Sequence, residues 1–269
     1  MIILKQKENI IKKFEILENI LKFNLCIGNM VKQLLYRDLA KYYDKLYHFK
    51  NYKKESEALI KLISKNIKIK GKDLLEVGCG TGHHMQYLKK KYICFGTDIN
   101  KEILDLAKKK HKNVKFKKAD MINMKLSKKF DVIISMFSAI GYVKTLSNLK
   151  KTIMNFSKHL NVGGVVIIEP WFTSDVYKKG TPYMTVYEDD DLKIARLNTN
   201  EVKNNVSIMD MHYLIAQKGK KVKHFVDRHE LGLFEIKDTL EIMKSAGLKS
   251  KFLKHGFLKN RGVYVGIKE

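Results

Sequence analysis

The sequence predicts an α/β fold: a mostly parallel sheet with helices on both faces, an inserted antiparallel β meander and an N-terminal helical extension. Three observations predict it. Strand-like and helix-like runs alternate from Lys72 onward, longer alternating stretches follow Glu169, and residues 1–35 carry a helical repeat of apolar side chains. Strands that alternate with helices favour right-handed βαβ units and therefore a parallel sheet. We expect an extension over 1–35 and one α/β domain over 36–269, with 172–234 as a substrate-side insertion.

The bulk composition fits a folded protein without a membrane span. The chain has 269 residues, of which 45% are apolar, so it can bury a sizeable core. No apolar run approaches the length of a membrane span, and the N-terminus is broken by Lys and Glu, unlike a secretory signal. We therefore expect a soluble cytoplasmic protein.

Cysteine and histidine spacing predicts no metal site. Cys26, Cys79 and Cys94 form no CxxC pair, which argues against zinc and against a disulfide framework. His83 and His84 are adjacent and lack the i, i+4 spacing that places two ligands on one helix face. We expect reduced thiols and no structural metal.

The formal charge of +25 admits nucleic acid, an anionic membrane or an acidic small molecule as partner. Only four of the 53 basic residues are arginines, however, and bidentate reading of guanine or phosphate favours Arg over Lys. Nucleic acid is therefore disfavoured as a partner but stays open. The scarcity of arginine makes Arg37, Arg196, Arg228 and Arg261 candidates for specific tasks.

The elements before the insertion follow in chain order. Residues 1–35 form the predicted helix, whose packing on its own domain, role as a lid, partner contact and membrane-surface contact stay open. A tyrosine-rich segment, 36–52, leads into a helix from about Tyr52 to Lys65. The predicted strands are 73–77, 92–98, 114–120, 131–137 and 163–170, and the helices between them include 101–111 and 148–160.

The chain changes character after Glu169. Three long, partly alternating runs, 191–202, 207–217 and 222–234, are separated by the turn-rich "KNN" and "KGKK". They predict an antiparallel meander of three strands. A helix over 235–248 and final strands over 250–257 and 260–268 complete the chain.

Three features coincide at one edge of the predicted sheet. The first strand, "DLLEV", runs into Gly78, Gly80 and Gly82, a G-x-G-x-G pattern rather than the G-x-G-x-x-G of dinucleotide folds. Asp98 follows the second strand, 22 residues beyond Glu76, where a ribose-binding carboxylate belongs, and Asp120 follows the third. Parallel sheets bind ligands at the carboxyl ends of their strands, so these features predict one binding site.

The segments "LLEVGCGTG", "FGTDI", "KADM" and "DVIISMF", in this order, resemble the class I S-adenosylmethionine-dependent methyltransferases from about Tyr36 onward. The resemblance implies a Rossmann-like methyltransferase sheet and S-adenosylmethionine as cofactor, with Asp98 at its ribose and Asp120 and Met121 at its adenine. The loop holds no P-loop lysine, in agreement with a ligand that carries no phosphate, and acidic and aromatic walls suit a cationic sulfonium. The cofactor-binding residues so expected are Tyr52, Glu76, Gly78, Cys79, Gly80, Gly82, Asp98, Ile99, Asp120, Met121 and Met136.

The sequence lacks the residues that several methyltransferase subclasses need for their chemistry. Base-amine enzymes use an Asn/Asp-Pro-Pro-aromatic tetrapeptide after the fourth strand, where this chain reads "SMFSAIGY". No cysteine nucleophile stands in that region for pyrimidine C5 chemistry, and no acidic magnesium cluster can be assembled. These absences favour a small-molecule N- or O-acceptor without a metal.

A finer resemblance is to the aminosugar N,N-dimethyltransferases that act on nucleotide-linked 3-amino-deoxyhexoses. Segments that carry it are "YYDKLYHFKNYKKE", "SMFSAIGYVKT", "HLNVGGVVIIEPW", "KKVKHFVDRHELGLF" and "NRGVYVGIK". It implies a small-molecule amine, a nucleotide sugar, as acceptor, faced by Tyr47, Trp171 and Arg261, with Arg261 at the diphosphate. Tyr142 joins them as a candidate aromatic residue. Lys50 stands where that family tends to have Arg, so its diphosphate contacts are expected to differ.

His229 is the candidate catalytic residue, as acceptor of the proton that the amine loses, although a partly deprotonated sugar amine makes a strong general base optional. The same histidine could instead orient the acceptor or serve the fold beside Arg228. We expect His83 and His84 to be solvated or to stabilise their loop rather than to be catalytic, and His159 to lie at the amino end of a strand, away from the chemistry.

Two other functions stay open on the sequence. A methyltransferase for another small molecule or RNA would use the same domain, and a non-catalytic S-adenosylmethionine-binding protein would use the same loop. The sequence also leaves open a homodimer, the identity of the acceptor and the number of methyl groups transferred.

Overall fold

A computed structural model of the chain describes residues 33–269, and Gln33–Glu269 form one compact unit. The helix predicted over 1–35 lies, up to residue 32, outside the described residues. Residues Leu34–Tyr36 form a 3₁₀ turn. In the part of the chain that the structure describes, no helix is long and apolar enough to cross a bilayer.

Six α-helices surround the main sheet in the described range. They are α1 (Ala40–Leu46), α2 (Tyr52–Asn66), α3 (Met85–Leu88), α4 (Lys101–Lys110), α5 (Leu146–His159) and α6 (Ile236–Ser245). The Asn51 side chain caps α2 by accepting from the Lys54 N–H at 2.9 Å, and Thr145 caps α5 in the same way. The predicted helix over Tyr52 to Lys65 is therefore confirmed to within one residue.

The main sheet has seven strands in the order β11-β12-β5-β4-β1-β2-β3. The strands are β1 (Asp73–Val77), β2 (Ile93–Asp98), β3 (Lys115–Lys118), β4 (Phe130–Ser135), β5 (Leu160–Ile168), β11 (Leu248–Leu253) and β12 (Val263–Lys268). Strands β1 to β5 pair in parallel, while β12 runs antiparallel to β5 and β11. This confirms the mostly parallel, Rossmann-like sheet with helices on both faces.

The apolar strand sequences explain why both faces are covered. Leu74 and Leu75 are adjacent in β1, and each packs into a different apolar cluster. The first cluster joins one face of the sheet to α2 through Leu59 and Ile63. The second joins the other face to α5 and α6, for example through Phe156. Continuous apolar runs such as "VII" in β4 are what a strand buried on both sides requires.

The insertion is a second, antiparallel sheet in the order β10-β9-β7-β6, with β8 paired to β9. Its strands are β6 (Tyr183–Glu188), β7 (Leu192–Asn198), β8 (Glu201–Lys203), β9 (Val206–Gln217) and β10 (Lys223–Gly232). The prediction of three strands was wrong. The first predicted run divides into β7 and β8, and β8 returns to β9 through Asn204 and Asn205, which both have positive φ. Strand β6 was missed because its apolar Met184 and Val186 are exposed, so no buried face marks it.

The tyrosine-rich segment joins the insertion to the main sheet. Tyr43 and Tyr47 pack in a third apolar cluster with Ile103 of α4 and with Ile194 and Tyr213 of the meander. The carboxyl ends of β1 and β2 therefore lie beneath a cover made of α1 and the second sheet. Any ligand at that edge is bounded by both.

Candidate active site

The glycine loop after β1 has the conformation that its residues predict. Gly78, Gly80 and Gly82 have φ of 70°, 55° and 77°, a region that other residues rarely adopt. A Cβ on Gly78 would lie 2.6 Å from the Ala139 Cβ, so no side chain fits there. The Cys79 N–H donates to the Thr97 carbonyl at 2.9 Å, which ties the loop to β2.

Asp98 closes β2 and faces this loop. Its carboxylate accepts the Gly80 N–H and the Asn100 N–H, both at 3.0 Å. Burial raises the pKa of Asp98, while these backbone donors oppose the rise. The adjoining Ile99 is exposed, and Asp120 accepts the Ile122 N–H at 2.9 Å in the next loop. The predicted acidic residues thus end neighbouring strands at one edge.

Four largely buried side chains of alternating charge, Lys50, Glu55, His84 and Glu76, lie in a row beside the glycine loop. His84 Nδ1 lies 2.9 Å from Glu76 Oε1, and His84 Nε2 lies 3.2 Å from Glu55 Oε2. Lys50 Nζ is 3.0 Å from Glu55 Oε1, an ion pair without hydrogen-bond geometry. The Glu76 carboxylate contributes most to the rise that brings the pKa of His84 to about 9, against the opposing effect of burial. His84 therefore stabilises the loop and is not solvated, since it is buried.

Helix α1 is fastened to the same loop through Asp44. Its carboxylate accepts from Thr81 Oγ1 at 2.8 Å, lies 2.6 Å from His83 Nε2 and pairs with Lys110. Hydrogen bonds from His83 and Lys110 hold the pKa of Asp44 well below its usual range, although burial opposes them. Tyr52, at the start of α2, stacks on the His83 ring at 4.3 Å. Three elements thus converge on the glycine loop.

The loops after β4 and β5 hold each other in a strained form. Phe137 and Ser138 have φ of 51° and 59°, which is unfavourable for residues other than glycine. The Phe137 N–H donates to Glu169 Oε2 at 2.6 Å, and Ser138 Oγ donates to the Pro170 carbonyl at 2.6 Å. Strain of this kind is stored where surrounding contacts fix the backbone, commonly at functional sites.

Arg261 and Trp171 meet beside these loops. The Arg261 guanidinium lies 4.5 Å above the Trp171 ring and 4.9 Å from the Phe172 ring, and donates to Ser138 Oγ at 2.9 Å. Trp171 Nε1 donates to Ser207 Oγ at 2.9 Å, which anchors the indole to the meander. Burial lowers the pKa of Arg261. Its Nε has no partner among the described residues.

Tyr47 lies between the two sheets. Its ring packs edge-on against Phe137 at 5.0 Å, and its hydroxyl accepts from Arg196 Nη1 at 3.1 Å. Arg196 also donates to Thr185 Oγ1 at 2.9 Å. Tyr47 is thus held by an arginine of the meander.

His229 is buried and engaged at both ring nitrogens. Nδ1 lies 2.7 Å from the Tyr142 hydroxyl, and Nε2 lies 3.0 Å from Asp227 Oδ2. The Tyr142 hydroxyl is also 3.0 Å from the Tyr36 hydroxyl. The carboxylate of Asp227 accepts the N–H groups of Leu34 and Leu35 as well.

Other residues singled out in the sequence are buried in the core or lie away from the glycine loop. Met136 is buried in the first apolar cluster, and burial raises the pKa of the Cys79 thiol well above its usual value, which disfavours thiolate chemistry. His159 ends α5 at the amino end of β5, as predicted. The roles of Glu55 and Asp227 carry no local signal in the sequence, because folding alone brings these carboxylates to their partners.

Comparisons with known proteins agree with this geometry. A family model described as a methyltransferase domain matches residues 74–164. The chain is 31% identical to the dTDP-3-amino-3,4,6-trideoxy-alpha-D-glucopyranose N,N-dimethyltransferase of Streptomyces venezuelae, over 86% of this chain and 98% of that protein. The crystal structure of Streptomyces venezuelae DesVI superposes with a TM-score of 0.80 at 31% identity, over 86% of this chain and 98% of that one. The sugar N-methyltransferase KedS8 from Streptoalloteichus gives 0.78 at 27%, over 84% and 92%.

The residues at this edge fit S-adenosylmethionine. Several buried side-chain oxygens have no hydrogen-bond partner within residues 33–269, and three of them lie at this edge of the sheet: Glu76 Oε2, Ser135 Oγ and Glu169 Oε1. Each belongs to a strand end or to the residue after it, and each is therefore available to a ligand with donor groups. A Cβ on Gly80 would have no neighbour closer than 3.8 Å, so a ligand can approach that backbone. Acceptors around an open glycine suit an ammonium group and ribose hydroxyls.

Proposed function

Because this chain belongs to the class I S-adenosylmethionine-dependent methyltransferases, among relatives that dimethylate nucleotide-linked aminosugars, we propose that it N-methylates the amine of a nucleotide-linked 3-amino-deoxyhexose. The observation that carries the proposal is the surroundings of Arg261. Its guanidinium is stacked on Trp171, and its Nε has no hydrogen-bond partner among the described residues. A desolvated cation with donors to spare favours an anionic acceptor such as a diphosphate.

The cofactor is S-adenosylmethionine, which supplies an electrophilic methyl group on a cationic sulfur when bound. We assign Asp98 to the ribose hydroxyls and the open backbone of Gly80 to close contact with the ligand. Asp120 and Met121 border the adenine in this assignment, with Ile99 and Gly82 beside them. Glu76, Gly78, Cys79 and Tyr52 complete the wall, and Met136 supports it from the core.

The acceptor site uses Tyr47, Tyr142, Trp171 and Arg261. Arg261 binds the diphosphate, and Trp171 forms a wall that also orients the guanidinium. Lys50 does not serve the diphosphate, because its ammonium is buried against Glu55 and lies 4.0 Å over the Phe137 ring. This chain has Lys50 where the family tends to have arginine. In this proposal Arg261 therefore binds the anion without help from position 50.

The protein contributes mainly alignment and exclusion of water. A neutral sugar amine is itself nucleophilic, so the site must hold it in line with the methyl group and remove solvent. Tyr47 and Phe137 close the site beside the strained loop after β4. His229 takes up the proton that the amine loses, and its two hydrogen-bonded ring nitrogens fix its orientation.

A cytoplasmic location belongs to the same proposal. Cys79 and Cys94 are both free and buried, as expected of a reducing compartment.

The test is transfer of a radiolabelled methyl group from S-adenosylmethionine to a panel of acceptors. The panel holds dTDP-linked 3-amino-deoxyhexoses, free amino sugars, RNA and lipid amines. We expect label on the nucleotide-linked amines, and mass spectrometry counts the methyl groups. Label on RNA alone, with steep salt dependence, would overturn the sugar assignment.

Two arginine variants sharpen this test. Arg261→Gln should raise the KM for the nucleotide sugar at least tenfold and leave cofactor affinity nearly unchanged. Arg228→Gln is the matched control, because Arg228 pairs with Asp210 on the exposed side of β10. Equal effects of the two substitutions would contradict the role of Arg261.

A further inference from the structure

Four polar side chains form one hydrogen-bonded row between β10 and the start of the described chain. Asp227 Oδ2 lies 3.0 Å from His229 Nε2, His229 Nδ1 lies 2.7 Å from the Tyr142 hydroxyl, and that hydroxyl lies 3.0 Å from the Tyr36 hydroxyl. Asp227 and His229 are each 1% exposed. The row is therefore shielded from water at its inner end.

With an ionised carboxylate at Asp227, which already accepts two backbone N–H groups, and a neutral ring at His229, chemistry fixes the direction of the hydrogen bonds in this row. An ionised carboxylate only accepts, so Asp227 takes the N–H of His229 Nε2. In the neutral ring the other nitrogen, Nδ1, is then an acceptor and must receive the Tyr142 O–H. The Tyr142 oxygen in turn receives the Tyr36 O–H. Every proton in the row points toward His229, and the lone pairs of Tyr36 remain for an incoming donor.

The outer end of the row lies toward the glycine loop. The Tyr36 ring packs against the Tyr43 ring at 5.8 Å. A Cβ placed on Gly80 would lie 3.9 Å from the Tyr43 hydroxyl, so Tyr43 borders the open glycine. Tyr36 thus stands between His229 and the edge where the ligands meet.

We propose that Tyr36, Tyr142 and His229 form a proton-accepting chain for the methylated amine, with Asp227 as its positioning residue. This inference rests on the proposed function. The C–S bond of the sulfonium breaks with its electron pair on sulfur, and the amine nitrogen forms the new N–C bond. The amine proton passes to the Tyr36 oxygen, Tyr36 passes its proton to Tyr142, and Tyr142 protonates His229 Nδ1.

The surroundings of each group suit this role. Burial raises the pKa of both Tyr36 and Tyr142 well above the usual value, so the phenols relay a proton and do not keep a phenolate. The imidazolium that forms is balanced by the buried carboxylate of Asp227, as in other histidine–carboxylate pairs. Asp227 also accepts the N–H groups of Leu34 and Leu35, the residues directly before Tyr36. One carboxylate thereby positions both ends of the chain.

The first test reads the hydrogen bonds without turnover. Nitrogen-15 NMR of the full-length protein should show the His229 ring protonated at Nε2 and unprotonated at Nδ1. Tyr142→Phe should shift the Nδ1 resonance and leave the Nε2 resonance nearly in place. A ring protonated at Nδ1 would overturn the proposal, whatever the acceptor proves to be.

The second test is kinetic and uses a dTDP-linked 3-amino-deoxyhexose with saturating cofactor. Tyr36→Phe, Tyr142→Phe and His229→Gln should each lower kcat by about 10²-fold, with the KM for the acceptor changed less than threefold. The Tyr36→Phe/His229→Gln double variant should lose about as much as one single variant, because members of one chain are not additive. Losses that multiply, or a Tyr36→Phe enzyme with wild-type kcat, would contradict the chain.

Controls separate chemistry from folding and from the acceptor assignment. Arg228→Gln, on the opposite face of β10 between Asp227 and His229, should keep wild-type kcat. Thermal unfolding should show each Phe variant as folded as the wild type, and Asp227→Asn should lower kcat and disturb the His229 resonances together. If the wild-type enzyme labels no amino sugar, the proposed function fails, while the NMR result still decides whether the chain exists.

Discussion

At the scale of single residues, the proposed acceptor site depends most on the pairing of Arg261 with Trp171. A guanidinium over an indole face is stabilised by about 0.5–2 kcal/mol, more when water is excluded. The hydrogen bond from Trp171 Nε1 to Ser207 Oγ fixes the indole ring. The ring therefore orients the Arg261 guanidinium as well as covering it. Loss of the indole should therefore affect the acceptor more than the cofactor.

Trp171→Ala should raise the KM for the acceptor about tenfold, which corresponds to about 1.4 kcal/mol of lost binding free energy. Isothermal titration should give a nearly unchanged Kd for S-adenosylmethionine. Trp171→Phe keeps an aromatic face and should recover most of the affinity. A parallel loss of cofactor and acceptor binding would show that Trp171 serves the fold instead.

His84 makes the stability of the loop depend on pH. Its pKa rises from the usual 6.5 to about 9 in the folded protein, so folding binds a proton. The stabilisation is complete below about pH 6.5 and is lost as the pH rises through 9. A shift of this size corresponds to about 3 kcal/mol.

Denaturant unfolding between pH 6 and pH 10 measures this effect. The wild-type free energy of unfolding should fall by about 3 kcal/mol over that interval because of His84. His84→Gln should flatten the profile over the same range, with a lower starting value. An unchanged profile in the variant would assign the pH dependence to other groups.

At the scale of elements, the β1–α3 loop depends on both backbone conformation and space. Gly78 has φ of 70° and would place a Cβ 2.6 Å from the Ala139 Cβ, while Gly219 has φ of 73° with nothing within 4 Å of a Cβ. A side chain at either glycine would have the same conformational cost. Only at Gly78 would it also clash with a neighbour. The two glycines form a matched pair for mutation.

Gly219→Ala should destabilise the protein by about 1 kcal/mol, the cost of a left-handed residue. Gly78→Ala should destabilise it by more and weaken S-adenosylmethionine binding at least tenfold, because the loop must move away from Ala139. Thermal unfolding and titration calorimetry measure both changes. Equal destabilisation with intact cofactor affinity would show that the loop tolerates the side chain.

The elements also differ in how far the sequence predicted them. β1 and β4 were predicted because continuous apolar runs between turns mark buried strands. Strand β6 was not, because Met184 and Val186 are exposed and its pattern shows no buried side. In the meander, pairing with neighbouring strands decides the structure more than local hydrophobicity does.

At the scale of the whole molecule, the net charge of +25 favours anionic ligands over long distances. Within residues 33–269 most lysines are exposed, so salt screens their charge. The desolvated Arg261 acts at short range and is screened less. The rate at which an anionic ligand associates should therefore depend on salt more than its contact with Arg261 does.

We expect kcat/KM for an anionic nucleotide sugar to fall several-fold between about 50 mM and about 500 mM salt. The affinity for S-adenosylmethionine, which is cationic at sulfur, should not weaken in the same range. Steady-state kinetics and calorimetry at matched ionic strengths give the two dependences. A salt-independent kcat/KM would mean that the surface charge does not guide the acceptor.

The sequence by itself determined the order of strands and helices in the main sheet, the glycine loop, and the acidic residues Asp98 and Asp120 at strand ends, because each depends on local periodicity and spacing. Only the tertiary structure decided the partners of buried groups. Glu55 joins His84 across 29 residues, and Asp227 joins Leu34 across 193. Such pairs carry no local signal, since a buried charge or imidazole finds its partner only where distant elements pack together.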